Sequence, residues 1–210
     1  MRPGINTKKT GILGGTFDPP HNAHMGMALA AVEQCGFDRV ILIPNGDPPH
    51  KNVRVASADR LMMTKLAARE FKERLGSDCI EVSDIEISRP GYSFLVNTIE
   101  QLKAELPEDE LYFMAGGDAI MSMASWVGAA RIFELANILA FKRAGSLGND
   151  IASAVRYLER RGAKVELAEA ELPQISSTDI RRLITEGADV SSLVPKTVAE
   201  YIKENNLYTA

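Results

Sequence analysis

The chain is poor in the residues that build disulfide frameworks and metal clusters. Its 210 residues include two cysteines, three histidines and one tryptophan. Cys35 and Cys79 are too few for a disulfide framework, so we expect reduced thiols in a cytoplasmic protein. The chain also lacks a long apolar run, which argues against a signal peptide, a transmembrane helix and binding to membranes.

An excess of positive charge is missing as well. Lysine and arginine number 24 against 28 aspartates and glutamates, which gives a formal net charge of −4. This balance argues against general nucleic-acid binding. The length fits a single domain, predicted over residues 10–210 after a disordered lead-in over residues 1–9. The sequence leaves the oligomeric state open and is compatible with a homo-oligomer.

Apolar patterning predicts strands that alternate with helices. The predicted strands lie at 11–13, 39–44, 79–82, 111–115, 137–141 and 164–167. The predicted helices lie at 25–34, 58–73, 93–105, 151–161, 177–186 and 195–205, with a loop at 145–149. Strands separated by helices imply an α/β protein with a parallel sheet, followed here by a small helical part.

The turn after the first predicted strand reads GGTFDPPHNAH over residues 14–24. Gly14 and Gly15 let the backbone bend sharply and approach a ligand closely. The start of the next helix offers backbone N–H groups to an anion. His21 and His24 are three residues apart, so both rings can face the same side of a helix start. Together these features predict a phosphate pocket with two imidazole donors, at the carboxyl end of a strand.

A metal site is the alternative interpretation of the two histidines. Asp18 or His50 would then complete the ligand set around His21 and His24. Because the chain has only three histidines and two cysteines to supply further ligands, the phosphate interpretation is favoured.

A second motif, ISSTDIR, lies at residues 175–181. One interpretation is a capped helix start, with Asp179 three residues after Ser176 as in a capping box. The other is a phosphate site, because hydroxyl and N–H groups at a helix start can hold phosphate and Arg181 adds a cation. From these residues alone both interpretations stay open.

The two motifs resemble those of the nucleotidylyltransferase superfamily. The first is similar to the GGTFDPxHxGH string of bacterial nicotinate mononucleotide adenylyltransferases, with Ala23 in place of a glycine. Pantetheine-phosphate adenylyltransferases usually have threonine where this chain has His21. The second resembles the ISSTxIR motif that contacts ATP phosphates. The resemblance covers roughly residues 10–208 and implies a Rossmann-like, doubly wound parallel sheet with flanking helices.

Weaker similarities lie between the two motifs. IPNGDPPHK at 43–51 resembles the family's IPxxxPPHK, and MAGGDA at 114–119 resembles a G-x-D turn near the ATP ribose. RPGYSFLVNT at 89–98 resembles a segment that ends SYTxDT, although Phe94, Leu95 and Asn97 replace its tyrosine, threonine and aspartate.

The resemblance implies three groups of site residues. The implied catalytic residues are His21, His24 and Arg181. The implied ATP-binding residues are Gly14, Gly15, Thr16, Phe17, Asp18, Gly116, Asp118, Ser176, Ser177 and Thr178. The implied mononucleotide-binding residues are Asn45, Lys51, Phe94, Leu95, Trp126, Val127 and Arg143.

The implied reaction is adenylyl transfer from ATP to nicotinate mononucleotide, which gives nicotinate adenine dinucleotide and pyrophosphate in NAD biosynthesis. Mg²⁺ is expected to bind through the ATP phosphates and water, without protein side chains. Two alternatives stay open. One is nucleotidyl transfer to another phosphate acceptor, such as pantetheine phosphate or nicotinamide mononucleotide. The other is a nucleotide-binding protein without catalysis.

Overall fold

A computed structural model describes residues 7–48, 53–143 and 148–209. Within these residues the chain forms six strands, eight helices and one 3-10 turn. The strands are β1 (Lys9–Gly15), β2 (Arg39–Pro44), β3 (Ile80–Val82), β4 (Glu110–Gly116), β5 (Asn137–Arg143) and β6 (Val165–Leu172). The helices are α1 (Asn22–Glu33), α2 (Ser57–Leu75), α3 (Leu95–Glu105), α4 (Gly117–Ser122), α5 (Ala129–Leu135), α6 (Gly148–Glu159), α7 (Ser177–Thr185) and α8 (Lys196–Glu204).

The sheet is parallel throughout, and its strand order is β3-β2-β1-β4-β5-β6. The chain winds outwards from β1 to β3 and then returns to β4 on the other side of β1. This order confirms the predicted Rossmann-like, doubly wound sheet. In such sheets a crevice opens at the carboxyl ends of the two strands where the winding reverses, here β1 and β4.

Both faces of the sheet are covered by helices, because alternate side chains of each central strand point to opposite faces. In β1, Leu13 packs with α1, α2, α7 and α8, whereas Ile12 packs with the cluster of α3 to α6. In β2, Leu42 and Ile41 divide in the same way. Burial on both faces explains why the run RVILIP is apolar without alternation. No described helix has the length and apolar character that spanning a membrane requires.

Several predicted boundaries are wrong. Strand β1 begins at Lys9, whose N–H donates to Asp38 Oδ2 at 2.7 Å, so the predicted lead-in does not extend to residue 9. Residues 1–6 lie outside the described residues. The loop predicted at 145–149 is wrong for Gly148 and Asn149, which begin α6. Glycine and asparagine favour loops, but they are also common at helix starts. Helices α4 and α5 are too short to show a helical period and were not predicted.

Candidate active site

The two histidines of the first motif meet at the start of α1. His21 is the N-cap residue and His24 lies three positions later. Their rings stack with centroids 3.7 Å apart, as the spacing predicts. The backbone N–H of His21 donates to Nδ1 of His24 at 3.3 Å. A neutral His24 ring therefore carries its proton on Nε2, which can donate to a phosphate oxygen.

Phe17 packs against the His24 ring. It is 2% exposed, and its ring meets the His24 ring edge-on at 4.9 Å. The Phe17 backbone has a φ of 49°, in the left-handed region, and a Cβ on Gly15 would lie 3.2 Å from the Phe17 ring. Gly15 thus leaves the room that Phe17 needs to fold back beneath the histidine.

The two sequence motifs are in direct contact, although they are far apart in the chain. Ser177 Oγ donates to the carbonyl of Pro19 at 2.9 Å, and Arg181 Nη1 donates to the carbonyl of Asp18 at 2.7 Å. Arg181 Nη2 also donates to Thr178 Oγ1 at 3.2 Å. The start of α7 and the start of α1 therefore face one crevice at the carboxyl end of β1.

The predicted cap of α7 is confirmed. Ser176 is the N-cap residue, and its Oγ accepts the backbone N–H of Asp179 at 3.1 Å. The same hydroxyl donates to Asp179 Oδ2 at 2.6 Å. The hydroxyls of Ser176 and Ser177 both donate within the protein, to Asp179 and to Pro19, so the Thr178 hydroxyl is better placed to meet a ligand. Ser177 and Thr178 lie in the first turn, where backbone N–H groups point out of the helix end.

Asp18 was predicted to contact ATP, but its side chain is bound to other parts of the protein. It is 2% exposed and lies beneath the turn. Its Oδ2 accepts the backbone N–H of Arg54 at 2.9 Å, and its Oδ1 accepts the hydroxyl of Tyr208 at 2.8 Å. Both carboxylate oxygens therefore bind protein donors. We reassign Asp18 as a residue that fixes the turn.

Arg60 is a site residue that the sequence analysis missed. It lies on α2 and is 1% exposed. Its guanidinium donates to the carbonyls of Thr16 at 2.8 Å, Asn45 at 2.6 Å and Gly46 at 2.9 Å. Burial lowers the pKa of this guanidinium, whereas the Asp18 carboxylate acts in the opposite direction. Arg60 thus ties the chain that leaves β1 to the chain that leaves β2.

A spacing in the sequence could have revealed Arg60. It is followed at intervals of three, four and seven residues by Met63, Thr64 and Ala67, which are all buried. These positions share one face of a helix. A charged residue on the buried face of an amphipathic helix requires hydrogen-bond partners, and three strand-end carbonyls supply them.

The other strand at the reversal point leaves open space beside the motif turn. The β1–β4 pairing places Ile12 opposite Phe113, and the two strands continue to Gly15 and Gly116. A Cβ on Gly116 or on Gly117 would meet no atom within 4 Å. Asp118 is exposed in the first turn of α4. A ligand on the motif turn therefore has room above the end of β4.

Four of the predicted mononucleotide-binding residues also come together. Phe94 is the N-cap residue of α3 and Leu95 is its first residue. Gly128 packs on α3 so closely that a Cβ on it would lie 2.8 Å from Cβ of Val96. This contact brings the chain at Trp126 and Val127 to the start of α3.

The polar groups of Trp126 are partly engaged within the protein. Its backbone N–H donates to the carbonyl of Met123 at 3.0 Å, and its indole N–H donates to Ser122 Oγ at 3.2 Å. The half-buried ring meets Phe113 edge-on at 5.9 Å. The backbone N–H of Trp126 is therefore already used and does not serve to hold the nicotinate group of a mononucleotide. The main-chain donors that remain for that role are those near Leu95 and Val127.

Three other predicted mononucleotide contacts have different outcomes. The side-chain amide of Asn45 donates to Glu86 Oε2 at 2.7 Å, and Glu86 Oε1 accepts Thr98 Oγ1 at the same distance. This amide group is thus fixed by a buried carboxylate. Lys51 lies outside the described residues. Arg143 ends β5, and the described part of the structure does not include its side chain.

The zinc interpretation finds no ligand set in the described ranges. Across residues 7–48, 53–143 and 148–209, no three histidine, cysteine, aspartate or glutamate side chains are grouped so that they could hold a metal ion. His50, one of the candidate ligands, lies outside these ranges. The donors that surround the crevice are imidazole, hydroxyl, guanidinium and backbone N–H groups, which suit phosphate oxygens.

Comparison with known proteins gives consistent results. Residues 12–183 match the family model described as cytidylyltransferase-like. A probable nicotinate-nucleotide adenylyltransferase of Pelobacter propionicus is 37% identical over 218 residues, covering 96% of this chain and 98% of the relative. Another, from Dehalococcoides mccartyi, is 39% identical over 203 residues, with 95% and 97% covered.

Solved structures show the same fold. The nicotinic acid mononucleotide adenylyltransferase of Plasmodium falciparum complexed with NaAD superposes with a TM-score of 0.75 at 20% identity. The match covers 96% of this chain and 97% of that one. The same enzyme complexed with APC gives a TM-score of 0.74.

Proposed function

This chain belongs to the nicotinate-nucleotide adenylyltransferases among the cytidylyltransferase-like proteins, and from that membership we propose its reaction and its site. The chain transfers the adenylyl group of ATP to nicotinate mononucleotide, and nicotinate adenine dinucleotide and pyrophosphate are the products. The observation that carries the assignment of the site is the contact between the two motifs. Ser177 and Arg181 of α7 bind the turn that presents His24.

The reaction needs little proton transfer. A 5′-phosphate oxygen of the mononucleotide attacks the α-phosphorus of ATP, and the bond from that phosphorus to the β-phosphate bridging oxygen breaks. The electron pair of that bond leaves with pyrophosphate. Nucleophile and leaving group are both already ionised, so positioning and stabilisation of charge provide the catalysis.

Each motif supplies donors for a different part of the triphosphate. His24 Nε2 donates to the oxygens around the α-phosphorus, where charge is redistributed during transfer. The Thr178 hydroxyl, the Arg181 guanidinium and the first-turn backbone N–H groups of Ser177 and Thr178 hold the β- and γ-phosphates. Arg181 has five N–H donors, of which its bonds to the Asp18 carbonyl and to Thr178 Oγ1 use one on each terminal nitrogen, so donors remain for phosphate oxygens.

We also propose that Mg²⁺ enters with ATP. The donor set around the crevice consists mainly of N–H and hydroxyl groups, whereas this cation prefers oxygen ligands. Phosphate oxygens and water would therefore hold it, and it would neutralise charge on the triphosphate.

The choice of acceptor tests the proposed reaction. We expect kcat/KM for nicotinate mononucleotide to exceed that for its amide by about tenfold to a hundredfold, because a carboxylate accepts from main-chain N–H donors. The NH₂ group of the amide would face those donors, and each mismatched buried polar group costs about 1–3 kcal/mol. Pyrophosphate release with ATP and each acceptor measures the ratio.

Trp126→Phe separates affinity from discrimination in this assay. The ring of Trp126 offers the same stacking to both acceptors, so the variant should weaken both and preserve their ratio. Equal kcat/KM values in the wild type would contradict specificity for the acid. If the enzyme turned over only with another phosphate acceptor, that acceptor and not nicotinate mononucleotide would be its substrate.

Arg181→Ala is expected to raise the KM for ATP by about tenfold or more, with a smaller loss of kcat. The guanidinium binds phosphates that are present in both ground and transition states, and loss of such uniform binding appears mainly in KM. Arg182→Ala is the matched control, because Arg182 is the exposed neighbour that pairs with Glu186 at 3.0 Å. Steady-state kinetics at varied ATP measures both. Equal KM values for ATP in the two variants would show that the ISSTDIR segment caps a helix and does not bind ATP.

A further inference from the structure

The segment after α8 folds back onto the motif turn. Thr185 Oγ1 of α7 lies within donating distance of two carbonyls, that of Arg181 at 3.0 Å and that of Tyr208 at 3.1 Å, and the Tyr208 backbone lies in the left-handed region with a φ of 63°. From this position the Tyr208 hydroxyl reaches Asp18 Oδ1 at 2.8 Å, across 190 residues of sequence. The resemblance to known motifs assigns no role to this tyrosine.

Asp18 connects this hydroxyl to the groups that face ATP. Its carbonyl holds Arg181 Nη1 at 2.7 Å, whereas its carboxylate Oδ2 lies 3.9 Å from the same nitrogen. The guanidinium thus has a close carbonyl partner and a more distant charged one. Rotation of the carboxylate towards Nη1 would give Arg181 a charged partner in place of the carbonyl.

We propose that Tyr208 is a positioning residue for adenylyl transfer, which acts by holding the Asp18 carboxylate away from Arg181. The inference rests on the proposed function, in which Arg181 binds ATP phosphates. With the hydroxyl in place, one carboxylate oxygen is bound to Tyr208 and the other to the Arg54 N–H. Arg181 then keeps its remaining donors for the ligand.

Removal of the hydroxyl leaves a buried carboxylate oxygen without its donor. The charged groups that face Asp18 are Arg181 and, on α2, Arg60, whose two terminal nitrogens donate to three carbonyls and whose buried Nε–H has no hydrogen-bond partner among the described residues. A charge-assisted bond to Arg181 is the replacement that the distances favour, because Arg181 Nη1 already lies 3.9 Å from Asp18 Oδ2, and such a bond is stronger than one between neutral groups. The Asp18 carboxylate would then compete with ATP for the N–H donors of Arg181.

The hydroxyl is a donor throughout the working pH range. Burial, followed by the charge of Asp18, raises the pKa of Tyr208 well above its usual range. The phenol therefore stays protonated, and the effect of removing it should not vary with pH between about 6 and 9.

Tyr208→Phe tests the inference, and Tyr201→Phe is a closely matched control. The Tyr201 hydroxyl also donates to a carboxylate, Asp59 Oδ1 at 2.9 Å, and also ties the C-terminal region to the rest of the chain. We expect Tyr208→Phe to raise both the KM and the dissociation constant for ATP by about fivefold to tenfold, with the KM for the acceptor changed less than about twofold. Tyr201→Phe should change none of these constants by more than about twofold.

A double variant identifies the route of the effect. If Tyr208 acts through Arg181, then Tyr208→Phe in the Arg181→Ala background should raise the ATP constants by less than about twofold. Independent multiplication of the two effects would overturn the proposal, as would equal ATP constants in the two tyrosine variants. ATP binding is measured by calorimetry without the acceptor. A wild type that binds ATP but transfers no adenylyl group would therefore contradict the proposed function and still test the positioning role.

Discussion

His24→Ala is expected to lower kcat by about 10²–10³-fold while the dissociation constant for ATP rises much less. His24 Nδ1 accepts the His21 N–H, so the neutral ring carries its proton on Nε2. This N–H can donate to a phosphate oxygen on which negative charge increases in the transition state. An interaction made mainly in the transition state affects kcat more than ground-state binding. Single-turnover measurement of dinucleotide formation, together with calorimetric ATP binding, checks both parts.

His24→Gln is the informative companion variant. Glutamine can place an amide N–H near the position of the imidazole Nε2, so part of the lost rate should return. The free energy of unfolding of both variants shows whether the rate loss comes from the missing donor or from a disturbed turn. Turnover within about tenfold of the wild type in His24→Ala would contradict the catalytic role of this residue.

Arg60→Met should lower the free energy of unfolding by about 3–5 kcal/mol and reduce kcat/KM. The methionine would leave three carbonyls, those of Thr16, Asn45 and Gly46, without their charged donor. Loss of this donor should also loosen the turn that carries His24. Urea unfolding followed by circular dichroism measures the stability, and the pyrophosphate assay measures the rate.

Two further variants make the Arg60 experiment specific. Arg60→Lys should recover only part of the stability, because an ammonium group lacks the planar fork that reaches three carbonyls. Arg69→Met, an exposed position on the same helix, should change stability by no more than about 0.5 kcal/mol. If Arg60→Met and Arg69→Met had equal free energies of unfolding, the bonds from Arg60 to the three carbonyls would contribute nothing to stability.

Local patterns predicted most of the fold. All six strands of the described residues were found, because most are apolar runs bounded by turn residues, whereas β6 (VELAEAEL) alternates apolar and acidic residues and its predicted range ended at residue 167. The helix starts were less accurate, and tertiary contacts explain the differences. For example, a helix start was predicted at Ser93, but the Ser93 N–H donates to the carbonyl of Asp47 and its hydroxyl accepts the Gly46 N–H. These bonds hold Ser93 outside the helix, the N-cap residue Phe94 has extended backbone, and α3 begins at Leu95.

The site was predictable where a motif is local and not where it is assembled from distant segments. His21, His24, Ser177 and Arg181 stand in short strings whose spacing indicates their chemistry. The environment of Asp18 depends on Tyr208 and Arg54, and no local spacing connects these three positions. The burial of Arg60 was detectable from the helical spacing. Its partners were not, because they are backbone carbonyls and any residue type can supply one.

The contacts of the motif turn set an order of events during synthesis. The turn at 14–24 is translated early, but the bonds that fix it come from residues 158, 163 and 190 positions later. A ribosome has to release residue 208 before the last of these bonds can form. Nascent chains arrested before α7 should therefore contain the histidines without the geometry for adenylyl transfer, and activity should emerge only when the final helices have docked.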